Sequence, residues 1–203
     1  MLTAVRDSVP AARSQVNPSP LASAHLSLAK TPYVLLLTGT AGSGKSTVAQ
    51  ALAGRHGWLR VCEDDIWRAQ YGKDRGAFGS NEHRAKRAAV HNIALSRVGQ
   101  GLAEGNNVVL EATLHQAPPE AFDEYRAALE ARGASWRLCV LHPRLEVAVA
   151  RDAARTDGPL GAERVAQLRT KFAGSAYPPE CFLDTSDESV EESVNRVLAL
   201  GAR

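Results

Sequence analysis

The sequence predicts a three-layer α/β/α fold around a parallel five-stranded sheet. Three observations indicate this class. Short apolar runs, typical of strands buried on both faces, recur along the chain. Helical segments bounded by glycine, proline and polar caps separate these runs, as in parallel sheets with crossover helices. A glycine-rich turn also follows the first apolar run and opens a helix, and a chain of 203 residues suits one such domain.

Composition and charge narrow the class of protein. Hydrophobic residues make up 44% and charged residues 23%, which is ordinary for a soluble protein, and the net charge of +2 does not by itself argue for nucleic acid. No apolar run approaches the roughly 20 residues of a membrane span, so no membrane is expected. Cys62, Cys139 and Cys181 are widely spaced and predict small buried side chains in a reducing, cytoplasmic protein.

Two regions are expected from the distribution of proline and serine. Residues 1–31 are rich in Ala, Ser and Pro, which predicts a mobile N-terminal tail. Residues 32–203 are expected to form the folded domain, with Pro32 at its entrance. No internal repeat is evident in either region.

The first predicted strand, 33–37, leads into the most informative motif of the chain. The motif has two glycines that bracket four residues, followed by Lys and Ser, which is the P-loop pattern for binding nucleotide phosphates. Its backbone N–H groups and the dipole of the helix predicted from Thr47 to Arg55 would face the anion. Lys45 is expected at the outer phosphates and Ser46 at Mg²⁺. The predicted nucleotide-binding residues are Gly39, Thr40, Ala41, Gly42, Ser43, Gly44, Lys45, Ser46 and Thr47.

The second predicted strand, 58–62, ends in acidic residues that open a helix. Asp64 and Asp65 in a first helical turn suit the helix dipole, which alone could explain them. The end of a strand beside the P-loop strand is also where open α/β sheets bind ligands, so we expect a functional position. A glycine-containing connection over 72–80 then precedes a long helix over 81–104.

The third predicted strand, 107–110, ends in Glu111-Ala112-Thr113. A carboxylate that closes a buried strand resembles the position that holds the magnesium shell in P-loop proteins. A helix over 118–132 and a fourth strand over 136–141 follow. His115 and His142 come after these strands, and we rank both below the acids as functional candidates.

A helix–loop–helix segment at about 151–175 has the composition of a mobile lid. Arg151 and Arg155 are four residues apart and therefore share a helix face. The breaker-rich stretch 156–161 separates their helix, 145–155, from the next one, 162–172. A short fifth strand over 181–184 and a closing helix over 188–199, capped by Asp187 or Ser186, complete the domain.

Together these motifs resemble the small P-loop kinases of the ATPase-like "predicted kinase" group. That group is related to the kinase domain of polynucleotide kinases, and more distantly to zeta toxins and to gluconate or shikimate kinases. The resemblance covers residues 33–200 and leaves out the tail. It rests on the P-loop and on four shorter stretches: Asp65 to Arg68, Val108 to Thr113, Leu145 to Arg155, and Pro178 to Glu180.

The resemblance implies roles for individual residues. Asp65 would accept the proton of the attacking hydroxyl, with Asp64 as the alternative base, and Arg68 would hold the acceptor. Glu111 stands where the family usually has Asp, so it implies either a magnesium contact through water or a contact to the acceptor hydroxyl. Thr113 matches a polar position near the substrate. One or both of Arg151 and Arg155 would fold over the triphosphate as lid arginines.

The expected function is transfer of the γ-phosphoryl group of ATP, with Mg²⁺, to a hydroxyl acceptor. The near-neutral charge and the aromatic content of 5% slightly favour a small-molecule acceptor over the 5′-hydroxyl of a polynucleotide. The alternative is a toxin-like or regulatory ATPase that has no small-molecule acceptor. The sequence does not decide between these functions.

Overall fold

In a computed structural model that describes residues 31–74, 76–114, 120–156 and 158–201, strands and helices alternate along the chain. The strands are β1 Tyr33–Gly39, β2 Leu59–Cys62, β3 Val108–Glu111, β4 Ser135–Leu141 and β5 Phe182–Leu183. The helices are α1 Lys45–His56, α2 Glu63–Tyr71, α3 Asn81–Ala103, α4 Glu120–Glu130, α5 Leu145–Ala153, α6 Ala162–Ala173 and α7 Val190–Gly201. The tail expected over 1–31, except Thr31, lies outside the described residues, as do His115 and the predicted start of the helix at Pro118.

The five strands form one parallel sheet in the order β2-β3-β1-β4-β5, which confirms the predicted fold class. The expectation that the second strand lies beside the P-loop strand is wrong, because β3 lies between β2 and β1. Chain order does not determine sheet order, and the long α3 crossover brings the chain back between the first two strands. In the resulting register Glu111 lies between Leu37 and Cys62, so the acidic ends of β2 and β3 are neighbours.

Alternating residues of the sheet face two separate cores, which makes the three layers. On one face Leu36, Leu110 and Val140 pack against α2, α3, α4 and α6. On the other face Leu35, Leu37 and Cys139 pack against α1 and α7. Because strands buried on both faces tolerate few polar side chains, the polar residues are concentrated at the strand ends.

Side-chain caps determine where helices α3 and α7 begin. Ser80 caps α3 by accepting a hydrogen bond from the backbone N–H of His83 at 3.1 Å. Helix α7 begins after Ser189, later than predicted, because Ser189 and Glu192 form a reciprocal capping box in place of the expected Asp187 or Ser186 cap. Across the described ranges, no helix combines the length and apolarity that crossing a bilayer requires.

Candidate nucleotide and acceptor site

The P-loop joins β1 to α1 in a conformation that glycine makes possible. Gly42 and Gly44 have φ angles of 71° and 94°, which other residues rarely adopt. A Cβ on Gly42 would lie 2.9 Å from the carbonyl carbon of Ala148 and 3.1 Å from the backbone nitrogen of Asp152, both on α5. The loop is therefore pressed against the main chain of α5 at Gly42, whereas a Cβ on Gly44 would meet no atom within 4 Å.

Lys45 folds back over the loop that precedes it. Its Nζ donates hydrogen bonds to the carbonyl oxygens of Gly39 at 2.8 Å and Thr40 at 2.9 Å. Burial lowers the pKa of Lys45, and the nearby Glu111 and Asp64 carboxylates oppose this effect. The ammonium group thus lies at the opening of the P-loop.

A continuous chain of polar contacts runs from the P-loop to the exposed side of α2. Ser46 Oγ donates to Glu111 Oε1, while Glu111 Oε2 accepts from Nε and Nη2 of Arg60 at 3.1 and 2.6 Å. Nη1 of Arg60 donates to Asp65 Oδ2 at 2.7 Å. Arg68 closes the chain with a 3.3 Å contact to Asp65 Oδ1. The chain therefore connects four predicted site residues.

These residues differ strongly in exposure. The side chain of Glu111 is 6% exposed, whereas those of Asp65 and Arg68 are 48% and 65% exposed. Asp64 and Thr113 are also exposed at this edge of the sheet. The buried carboxylate lies next to the P-loop, and the exposed one is open to solvent in the first turn of α2.

The oxygen atoms at the P-loop fit a magnesium ion. Ser46 Oγ and Glu111 Oε1 are in direct contact at the first turn of α1, and both are hard ligands of the kind that Mg²⁺ prefers. No cluster of three or more His, Cys, Asp or Glu residues suited to a metal occurs in the part of the chain that the structure describes. A magnesium ion that is mainly held by nucleotide phosphates and water needs only one or two protein ligands.

A cavity of about 490 Å³ opens over the P-loop. Arg151 and Arg155 both line it, beside Thr185, Glu188, Val190 and Ser193 from the segment after β5. Arg151 donates to the carbonyl oxygen of Thr185 at 3.0 Å, so its guanidinium is fixed to that segment. Arg155 has a half-exposed side chain, with Nη1 lying 3.8 Å from Asp152 Oδ1.

The α5–α6 hairpin is attached to the P-loop at its base. Ala41 of the loop packs against Ala148 of α5 and Val165 of α6. Thr40 Oγ1 donates to the carbonyl oxygen of Val165 at 3.4 Å. The buried Asp152 accepts a hydrogen bond from the backbone N–H of Gly161 at 3.0 Å, which fixes the end of the connection between the two helices.

The structure also shows where Trp67, His142 and Arg60 lie. Trp67 is buried and donates to the carbonyl oxygen of Asp74 at 3.2 Å, so it belongs to the core. His142 is half-buried with its pKa lowered by burial, and it packs against Phe182. Arg60 was not predicted as a site residue, although an arginine in an apolar strand just before three acids was the available signal.

Comparison with known proteins identifies a family for the larger part of the chain. The model of the AAA_33 family, an AAA domain, matches residues 34–174. Among curated proteins, none matches significantly. Three solved structures have a similar fold. A tunicamycin resistance protein from Deinococcus radiodurans matches with a TM-score of 0.63, 15% identity and coverage of 83% of this chain and 94% of the other. An APS kinase from Mycobacterium tuberculosis, solved with AMPPNP and APS, matches with a TM-score of 0.62, 22% identity and coverage of 85% and 99%.

The third is a chain of the Pnkp1/Rnl/Hen1 RNA repair complex, with a TM-score of 0.57 and 21% identity. The match covers 70% of this chain but only 44% of that one. At these identities the likeness establishes the fold, and the fold of all three agrees with the parallel sheet and P-loop described above. The family match extends over more than half of the 203 residues, and the chain therefore belongs to the AAA_33 family of P-loop domains.

Proposed function

We propose that this protein is an ATP-dependent kinase that transfers the γ-phosphoryl group to a hydroxyl acceptor. The observation that carries the proposal is the polar chain from Ser46 through Glu111 and Arg60 to Asp65 and Arg68. It joins a phosphate cradle to an exposed carboxylate. A phosphotransferase needs this pairing of a donor half and an acceptor half.

The donor half is formed by the P-loop, Gly39 to Thr47. Backbone N–H groups and the start of α1 would bind the phosphates, with Lys45 exchanging its loop carbonyls for outer phosphate oxygens. Ser46 and Glu111 would hold Mg²⁺, directly or through water. When bound, Mg²⁺ supplies positive charge that neutralises the phosphate oxygens.

The acceptor half is formed by Asp65, Arg68 and Thr113. Asp65 is the proposed general base, and Asp64 beside it is the alternative. As the acceptor oxygen bonds to the γ-phosphorus, the bond from that phosphorus to the bridging oxygen breaks and ADP leaves. The hydroxyl proton passes to the Asp65 carboxylate and from there to solvent. Arg68 and Thr113 would orient the acceptor in line with the leaving oxygen.

The segment 151–175 is the proposed lid of the domain that begins at Pro32. Arg155 would turn from Asp152 toward the transferring group, because its guanidinium already lines the cavity over the P-loop. Arg151 would contact the nucleotide from its fixed position on the Thr185 carbonyl. Positive charge from the lid stabilises the transition state, in which negative charge spreads over the phosphoryl oxygens.

A small-molecule acceptor is slightly favoured over a polynucleotide. Phe78 is the one largely exposed Phe, Tyr or Trp among the residues that the structure describes, so few aromatic surfaces are available for stacking bases, and the chain has a net charge of only +2. Both acceptor classes occur among proteins of similar fold, represented by an APS kinase and by an RNA repair complex.

A labelled-phosphate screen tests the proposal. The protein is incubated with γ-labelled ATP, Mg²⁺ and a panel of oligonucleotides, nucleosides, sugars and aminoglycosides. Label on one acceptor class supports the kinase activity and shows whether the acceptor is a small molecule or a polynucleotide. Loss of ATP without any labelled acceptor favours the toxin-like or regulatory ATPase instead.

Two variants then test whether Asp65 is the general base. Asp65→Asn should lower transfer to a small residual rate while nucleotide binding persists, and Asp64→Asn should reduce transfer less. Asp123→Asn, on the surface of α4, is the matched control. Full transfer by the Asp65→Asn protein would rule out the proposed mechanism.

A further inference from the structure

We propose that Arg60 is a positioning residue that fixes the magnesium-side carboxylate and the proposed general base relative to each other. This inference rests on the proposed function. A single guanidinium contacts both acids, with Nε and Nη2 on Glu111 Oε2 and Nη1 on Asp65 Oδ2. The two acids belong to different elements, the end of β3 and the first turn of α2. Arg60 is thus the direct link between the donor and acceptor halves.

The chemistry of the contact requires arginine. The planar guanidinium directs donors to two acceptors at once with fixed angles between them. A lysine ammonium carries a similar charge but is a single point that cannot hold both carboxylates in this arrangement. Replacement of Arg60 by Lys therefore removes the geometry and keeps the charge.

The position of Arg60 in the sheet accounts for its reach. It lies on the edge strand β2 opposite Val109, two residues before Cys62, which is opposite Glu111. Its side chain can therefore extend toward the end of the sheet without crossing another strand. The side chain is 21% exposed, so its contact with the buried Glu111 is partly shielded from water.

Asp65 needs such a restraint more than Glu111 does. Its side chain is 48% exposed, and it forms a second, longer ion pair with the more exposed Arg68 at 3.3 Å. An exposed carboxylate samples several rotamers, and only some of them would face an acceptor hydroxyl. The 2.7 Å contact to Arg60 selects one orientation of the Asp65 carboxylate. Because Arg60 also contacts Glu111, this orientation is fixed relative to Glu111 and hence to the P-loop.

Kinetics of Arg60→Lys test the catalytic part. We expect kcat to fall by about 10- to 100-fold, because small displacements of a reacting group have effects of this size. The KM for ATP should change less than kcat does, because the hydrogen bonds of Arg60 reach the P-loop only through Glu111, whereas they reach Asp65 directly. Arg126→Lys, which changes a surface ion pair of α4, is the matched control and should leave both constants unchanged.

A double-mutant cycle separates positioning from a general structural effect. In the Asp65→Asn background the further Arg60→Lys change should have little effect on the residual rate, because the group that Arg60 positions is already lost. An equal loss in both backgrounds would show that Arg60 does not act through Asp65, and would overturn the inference. So would an Arg60→Lys protein with the wild-type kcat.

A measurement without catalysis tests the bridge itself. The side-chain Nε–H resonance of Arg60, assigned by its loss in Arg60→Lys, should shift in both the Glu111→Gln and Asp65→Asn proteins. If it stays unchanged in either protein, the bridge is refuted. A wild-type protein that labels no acceptor refutes the proposed function and the catalytic role of Arg60 together, and the resonance still decides whether Arg60 links the two acids.

Discussion

The close approach between the P-loop and α5 predicts that two neighbouring glycines differ in their tolerance of alanine. Gly42 and Gly44 both have positive φ angles, so Gly→Ala should cost about 1–2 kcal/mol of folding free energy at each from backbone strain. At Gly42 the new Cβ would also lie 2.9 Å from the Ala148 carbonyl carbon, closer than real Cβ contacts allow. The crowding atoms belong to a helix backbone, which cannot move aside as a flexible side chain does.

Crowding in a packed site typically adds about 1–3 kcal/mol, so we expect a loss of about 2–5 kcal/mol for Gly42→Ala. Urea unfolding without nucleotide, followed by circular dichroism, measures the difference between the two variants. For an m-value of about 2 kcal/mol per molar, Gly42→Ala should unfold at about 0.5–1.5 M less urea than Gly44→Ala. Coinciding midpoints would refute the argument that α5 confines the loop at Gly42.

Three further predictions concern the lid, an internal histidine and a helix cap. Arg155→Ala should lower kcat by about 10²- to 10³-fold in the labelled-phosphate assay because it removes lid charge, whereas Arg132→Ala, in the turn after α4, should not. Burial lowers the pKa of His91 to about 4, whereas the pKa of histidine in the unfolded chain is near 6.5. The neutral, buried His91 therefore contributes its full stabilisation above pH 6.5, and this stabilisation is lost as the pH falls toward 4. In His91→Phe, the free energy of unfolding should therefore fall by up to about 3 kcal/mol less between pH 7 and pH 4 than in the wild type. The same pH dependence in both proteins would contradict this. Ser189→Ala should cost about 0.5–2 kcal/mol in thermal or urea unfolding, because Ser189 caps α7 with Glu192, and a smaller loss would show that Glu192 holds the turn alone.

The sequence was sufficient for the strands and for the P-loop because both are local patterns. Apolar runs bounded by breakers located all five strands to within a few residues. The side-by-side position of Asp65 and Glu111 also agreed with expectation, although β3 rather than β2 adjoins the P-loop strand. The order of the strands in the sheet depends on which crossover connection packs best. This packing energy comes from residues that are far apart in the chain, so no local pattern reveals it.

Arg60 was missed for a related physical reason. A charged residue in a short edge strand ordinarily extends into solvent, and its sequence neighbours Leu59 and Val61 carry no chemical signal. Its partners are five and 51 residues away along the chain. Only the register of β2 against β3 brings Glu111 within reach of its guanidinium, so the contact becomes visible once the sheet is assembled.

The contacts of Lys45 have a consequence for the choice of variants. Its ammonium donates to the carbonyl oxygens of Gly39 and Thr40, so a Lys45 side chain that turned toward a phosphate would give up two hydrogen bonds. Replacing Lys45 by Ala would therefore remove one donor from each carbonyl, and the carbonyl of Thr40 would keep only the N–H of Ser43 at 3.3 Å. Weak nucleotide binding by such a variant would combine a lost phosphate contact with a loosened loop. Lys45 thus stabilises the P-loop from within, in addition to any contact that it makes with a triphosphate.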